Sequence, residues 1–183
     1  KDTPLRLVAW ETTRNCNLAC KHCRASADLG PFDGELDTQA SFRLLDQIAE
    51  LGSPIVILTG GEPLLRDDIF DIARYGTDKG LRMVMAPNGT LITPEHARNM
   101  AASGIKRISV SLDGATKEKH DDFRGVPGAT ATLLLLPAEG IAVAVLCWKR
   151  GALSPRAVRR RNGASRGWSP DSRPLRPAAA ATR

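Results

Sequence analysis

The 183-residue chain contains no run of eighteen apolar residues, so no segment has the length of a membrane-spanning helix. No basic stretch leads into an apolar one at the start, so no secretory signal is read, and the first residue, Lys1, leaves room for an upstream segment. Aromatic residues make up only 4% of the chain and form no series interleaved with basic residues, which argues against a stacking platform for nucleic acid. Cysteine is scarce as well. There are four, and three of them, Cys16, Cys20 and Cys23, fall in one C-x-x-x-C-x-x-C run. Close-set thiols without a secretion signal speak against a disulfide framework and for a reducing, cytoplasmic compartment.

The net charge of +6 is not shared along the chain. Residues 131–183 carry ten Lys/Arg against two acids, whereas residues 1–130 carry sixteen against eighteen. A shift that sharp marks a boundary. The chain accordingly divides into a core over 1–128, an uncertain stretch over 129–148 with one plausible strand at 141–146, and a tail over 149–183 rich in Arg, Ala and Pro. Such a tail cannot bury enough apolar surface to offset the entropy of ordering, so disorder is expected there. The same composition arises when GC-rich DNA is translated out of frame, and a frameshift near residues 128–132 is the sequence-based expectation. The competing reading makes the tail a nucleic-acid-binding arm through Arg159, Arg160, Arg161 and Trp168.

Three thiolates on one short loop suit three irons of a cubane iron–sulfur cluster and leave the fourth iron open to a ligand. A zinc knuckle or idle thiols are the alternatives, although zinc sites usually pair their C-x-x-C units. A second motif, Thr59-Gly60-Gly61-Glu62-Pro63, follows the β-branched run at 54–58, which has the character of a buried parallel strand. Paired glycines at a strand's carboxyl end let backbone approach a ligand, and Glu62 adds a carboxylate expected to face the same mouth. The plain alternative is an ordinary glycine turn.

Up to about Arg124 the chain alternates strand and helix signals. Strands are read at 5–10, 54–58, 81–85 and 105–112. Helices are read after Asp37/Thr38, after Asp67/Asp68 and after Thr93-Pro94. Four βα units imply a parallel sheet, hence an α/β barrel or doubly wound fold with active groups at the carboxyl ends of the strands. Both motifs fall there, as do Asn88-Gly89 and Ser111-Leu112-Asp113-Gly114. Turn chemistry alone also favours these Asn-Gly and Asp-Gly pairs.

The C-x-x-x-C-x-x-C spacing together with Gly60-Gly61-Glu62-Pro63 resembles the radical S-adenosylmethionine (radical SAM) family over roughly residues 5–128. Residues 7–14 and 23–27, the stretch Thr59 to Arg66, and His120-Asp121-Asp122-Phe123-Arg124-Gly125 look like its SPASM-type haem and haem d1 biosynthesis branch. Peptide-modifying relatives share much of this wording and form the alternative, beside an inactive fragment that binds only a cluster or zinc. The resemblance implies a partial radical SAM barrel with a [4Fe-4S] cluster on Cys16, Cys20 and Cys23. It implies S-adenosylmethionine held by Gly60, Gly61, Glu62, Pro63, Asn88, Ser111 and Asp113, with His22 near the adenine; a solvent-facing loop histidine is the bland reading of His22. It further implies reductive cleavage to a 5′-deoxyadenosyl radical that removes a substrate hydrogen, with no catalytic side chain beyond the cluster and cosubstrate. A tetrapyrrole substrate and an electron donor such as flavodoxin or ferredoxin complete the implied partners.

Overall fold

A computed structural model describes residues 4–21, 23–30, 32–129 and 141–147. Five parallel strands form one sheet in the order β1-β2-β3-β4-β5, namely Leu7–Thr13, Ile55–Gly60, Arg82–Met85, Arg107–Leu112 and Ala142–Cys147. Helices α1 (Thr38–Glu50), α2 (Ile69–Asp78) and α3 (Pro94–Ala102) lie between successive strands up to β4, and α4 (Lys117–Arg124) follows β4. The alternation expected from the sequence is therefore the alternation observed.

The local signals explain the elements. Asp37 caps α1 by accepting from the Ala40 amide, and Thr93 and His96 form a reciprocal capping box ahead of Pro94 in α3. Helix α4 lacks an apolar stripe; Thr116 starts it and Gly125, at φ +72°, stops it. Alternate residues of the strands face the helices: Val56 and Leu58 of β2, Met83 and Met85 of β3, Ile108 and Val110 of β4. They pack on Leu45 and Ile48 of α1, Ile72 and Ala73 of α2, and Ala97 and Met100 of α3. Gly76 lets α2 sit against Met83, since a Cβ there would lie on the Met83 sulfur.

The other face of the sheet carries Leu7, Ile55, Ile57, Val84 and Ser109. Leu7 is 51% exposed. A cavity of about 610 Å³ opens on this face at the amino ends of the strands. It lies at the end of the sheet opposite both sequence motifs, and its size alone does not make it the functional site.

The strand read at 141–146 is present as β5, which pairs with β4 over six positions from Arg107↔Ala142 to Leu112↔Cys147. One expectation needs correction: strand β1 runs three residues beyond its expected end, through Glu11-Thr12-Thr13, because Glu11 and Thr13 pair with Thr59 and Gly60 across a bulge. The tail over 149–183 lies outside the described residues.

Leu58 is fully buried in the middle of β2, between Trp10 of β1 and Met85 of β3. Leu58→Ala is expected to lower unfolding free energy by about 2–5 kcal/mol, the range for a cavity in a close-packed core. Urea denaturation of the two proteins at one pH checks this.

Candidate functional site

The site assembles where β1, β2, β3 and β4 end. Beyond Thr13 the chain turns into the loop that carries the three cysteines. Gly61 N–H donates to Thr13 O at 2.7 Å and Glu62 N–H to Asn15 O at 2.8 Å, so the loop leaves β1 pinned along the turn after β2. Only glycine fits here. A Cβ on Gly60 would strike the Thr13 carbonyl, and one on Gly61 would strike the Asn15 carbonyl and lie 2.7 Å from Arg14 O. Gly60 also adopts φ +138°. The paired glycines thus admit the backbone of the cysteine loop.

Glu62 is placed otherwise than expected. Its carboxylate does not face an open mouth but is fully buried. Oε1 accepts from Leu64 N–H at 3.0 Å, capping the short 3-10 turn Pro63–Leu65, and Oε2 accepts from Asn88 N–H at 2.6 Å. Pro63, at the first position of that turn, is buried too. Burial pushes the Glu62 carboxyl up to about 7, against the pull of the Asn88 and Leu64 amides and of Arg124.

The Asn88 side chain faces the cysteine loop. Its Nδ2 donates to Asn17 Oδ1 at 2.8 Å, its Oδ1 accepts from Thr90, and Asn17 in turn donates to Thr90 Oγ1 at 2.9 Å. On the outer side Glu35 accepts from both Thr13 Oγ1 and Arg14 N–H. Arg66 reaches back from the turn after β2 to Thr12 O at 2.9 Å while its guanidinium pairs with Asp68.

The three thiols are free, with Cys16 buried, Cys20 half-buried and Cys23 exposed. Burial raises both the Cys16 and the Cys20 thiols; the Leu18 backbone hydrogen bond opposes this at Cys16, and Arg124 opposes it at Cys20. The other two sulfurs also face N–H donors: Cys23 Sγ accepts from Ala27 N–H at 3.3 Å, and Cys20 Sγ from Arg124 Nη1 at 3.8 Å. Among the described residues, no three Cys, His, Asp or Glu side chains converge as ligands of a single metal ion. A zinc site would need sulfurs about 2.3 Å from one centre. Thiolates on a loop, with N–H donors on their sulfurs, form the donor set that a four-iron cluster takes, so the residues present fit that group.

Ser111 and Asp113 stand at the end of β4. The Ser111 carbonyl accepts from Arg124 Nη2 at 3.0 Å, and Asp113 Oδ2 lies 2.7 Å from Arg124 Nε with both side chains almost wholly buried. His22 lies outside the described residues. The structure therefore brings Cys16, Cys20, Cys23, Gly60, Gly61, Glu62, Pro63, Asn88, Ser111 and Asp113 into one connected network. Sequence reasoning passed over Asn17, Glu35, Arg66 and Arg124. Arg124 had a signal in the His120–Gly125 wording and Arg66 in the Thr59–Arg66 wording; Asn17 and Glu35 are ordinary polar residues until their partners are seen.

Gly61→Val is expected to destabilise the cofactor-free protein by about 1–3 kcal/mol, the cost of overpacking, because the clash is with loop backbone. Unchanged denaturation of the metal-free variant would show that the loop backbone does not depend on that space. Glu62 gives a pH signature. Its folded value exceeds its ordinary 4.5, so between about 4.5 and 7 the folded state keeps a proton that the unfolded state has lost. Stability contributed by Glu62 therefore falls as pH rises across that window, by up to about 3 kcal/mol. Melts of metal-free protein from pH 5 to 8 should show this slope, and Glu62→Gln should flatten it.

Residues 10–135 match the Radical SAM superfamily. The AdoMet-dependent heme synthase of Nitratidesulfovibrio vulgaris is 57% identical over 124 residues, which are 68% of this chain and 34% of that protein. The pre-heme d1 synthase of Dinoroseobacter shibae is 40% identical over 130 residues, 70% of this chain and 32% of that protein. The chain thus spans about a third of the length of these curated relatives. In fold it is similar to Streptococcus suis SuiB bound to S-adenosylmethionine, with a TM-score of 0.65 at 21% identity, covering 78% of this chain and 33% of that one. A thiol loop seated on a Gly-Gly-Glu turn at the carboxyl end of a parallel sheet, with a superfamily match across all four βα units, places this chain in the radical SAM superfamily.

Proposed function

We propose that this chain provides the cluster- and cosubstrate-binding part of a radical SAM enzyme acting on a tetrapyrrole in haem or haem d1 biosynthesis. The observation that carries the reading is the loop itself: three free thiols, delivered by β1 and locked onto the turn after β2, with donors already facing all three sulfurs. Cys16, Cys20 and Cys23 would hold a [4Fe-4S] cluster. When bound, that cluster supplies the electron that cleaves the sulfonium C–S bond of S-adenosylmethionine. The chain's own part is to bind, orient and exclude water. Glu62 and Asn88 fix the loop from beneath, and the ends of β2, β3 and β4 form the floor on which S-adenosylmethionine would lie, with Ser111 on the open side. The tetrapyrrole assignment rests on the likeness to relatives named as haem synthases.

Anaerobic reconstitution with iron and sulfide tests the reading. Four irons and a brown chromophore are expected, lost in Cys16→Ala, Cys20→Ala or Cys23→Ala and kept in Cys147→Ala. Adding S-adenosylmethionine should change the EPR spectrum of the reduced protein, and a sirohaem-derived tetrapyrrole should show a Soret shift on titration. Stoichiometric zinc with no iron uptake would overturn the assignment. Because thiols raised by burial must lose protons on loading, iron uptake should be faster at pH 8 than at pH 6.5.

A further inference from the structure

Helix α4 and the turn after it form a clamp on the cysteine loop. Lys21 N–H donates to Phe123 O at 3.1 Å, and Gly125 packs against the Ala19 carbonyl, where any side chain would collide. His120, buried beneath, accepts from Asp113 N–H on Nδ1 at 3.1 Å, so its proton sits on Nε2 and is donated to Ala129 O at 3.2 Å. That bond fixes the backbone of Asp113, whose carboxylate faces Arg124. Among the described residues the guanidinium has three partners: Cys20 Sγ, Ser111 O and Asp113 Oδ2.

This arrangement is poorly explained as a stabilising ion pair. The Arg124 and Asp113 side chains are 8% and 2% exposed, and desolvating two charges offsets most of what their attraction returns. The angle between them is also wrong for a hydrogen bond, leaving Asp113 Oδ2 and Arg124 Nε without one. The pair does achieve orientation. The carboxylate lies on the Nε side and Nη1 points at sulfur, so a buried dipole presents its positive end to Cys20. The other sulfurs differ: Cys23 faces a neutral amide, and Cys16 takes a backbone hydrogen bond from Leu18 and lies in the field of Glu62, with no cation among the described residues acting on it.

We propose that Arg124 is a positioning residue that sets the reduction potential of the iron–sulfur cluster through the Cys20 sulfur, held in place by Asp113 and His120. The inference rests on the cluster reading above. One-electron reduction adds a negative charge that spreads onto the ligand sulfurs, and a fixed cation in a water-poor setting favours the charged product. Arg124 therefore makes the cluster easier to reduce.

The test is a dithionite titration of the full reconstituted chain, followed by EPR of the reduced form, with one electron entering per cluster. Arg124→Met alone would strand Asp113, so the main variant is Arg124→Met with Asp113→Asn; Arg124→Lys keeps the charge. The neutral double variant should have at least tenfold fewer reduced clusters at a fixed potential, a downward shift of about 59 mV. Arg124→Lys should restore the original midpoint. A double variant with full iron and an unchanged midpoint would reduce Arg124 to a strut and overturn the proposal. So would a folded double variant that takes up no iron, since the residue would then serve assembly and not potential. Failure of the unsubstituted chain to take up iron would instead overturn the cluster reading itself.

Discussion

The close approach of two backbone segments, the entry to the cysteine loop and the turn after β2, is the constraint on which the site depends. Both segments would otherwise present bare amides and carbonyls at the end of a sheet, where the ladder stops. Pairing Thr13 with Gly61 and Asn15 with Glu62 extends the β1–β2 ladder past the last strand residue, and it does so at a distance that no side chain permits. Position along the loop follows from there. Cys16 comes one residue after a pinned carbonyl and is buried; Cys23, seven residues on, is exposed.

Glu62 shows how one residue serves several levels of structure. It caps the turn that starts behind it, ties the end of β2 to the start of the β3 loop, and places a carboxylate beneath the thiols. A buried acid with only two amide donors is electrostatically costly, and its raised proton affinity reflects that. On the far side of the loop, Arg124 brings the opposite charge to bear on Cys20. The thiols thus lie between an acid on the turn after β2 and a cation at the end of α4.

Much of the fold was legible because local and global signals agreed. Asp37 before a periodic apolar run, and Thr93-Pro94 before another, mark helix starts on which the structure agrees. Discrepancies arise where partners are distant in sequence. Ile105 reads as strand, yet its amide closes the end of α3 on Met100 O and the strand begins at Arg107. Glu11-Thr12-Thr13 reads as loop because it is polar, and is strand because β2 lies beside it. Helix α4 has no apolar stripe to announce it; what it buries are His120 and Arg124, polar residues whose partners lie on the cysteine loop and at the end of β4. The inward turn of Glu62 was hidden for the same reason, since nothing near it in sequence foretells the amide of Asn88.

The β3–β4 junction is paired only at Met85 and Ile108, whereas β1 and β2 are laddered along their length. The sheet is therefore two laddered halves, β1–β2–β3 and β4–β5, meeting at a thin seam. The cysteine loop starts in the first half and is fastened to the second, through Lys21 on Phe123 and Cys20 on Arg124. It works as a strap across the seam: any hinge motion between the halves must stretch the segment that bears the thiols. A force applied across this sheet would therefore be borne by the loop that carries Cys16, Cys20 and Cys23.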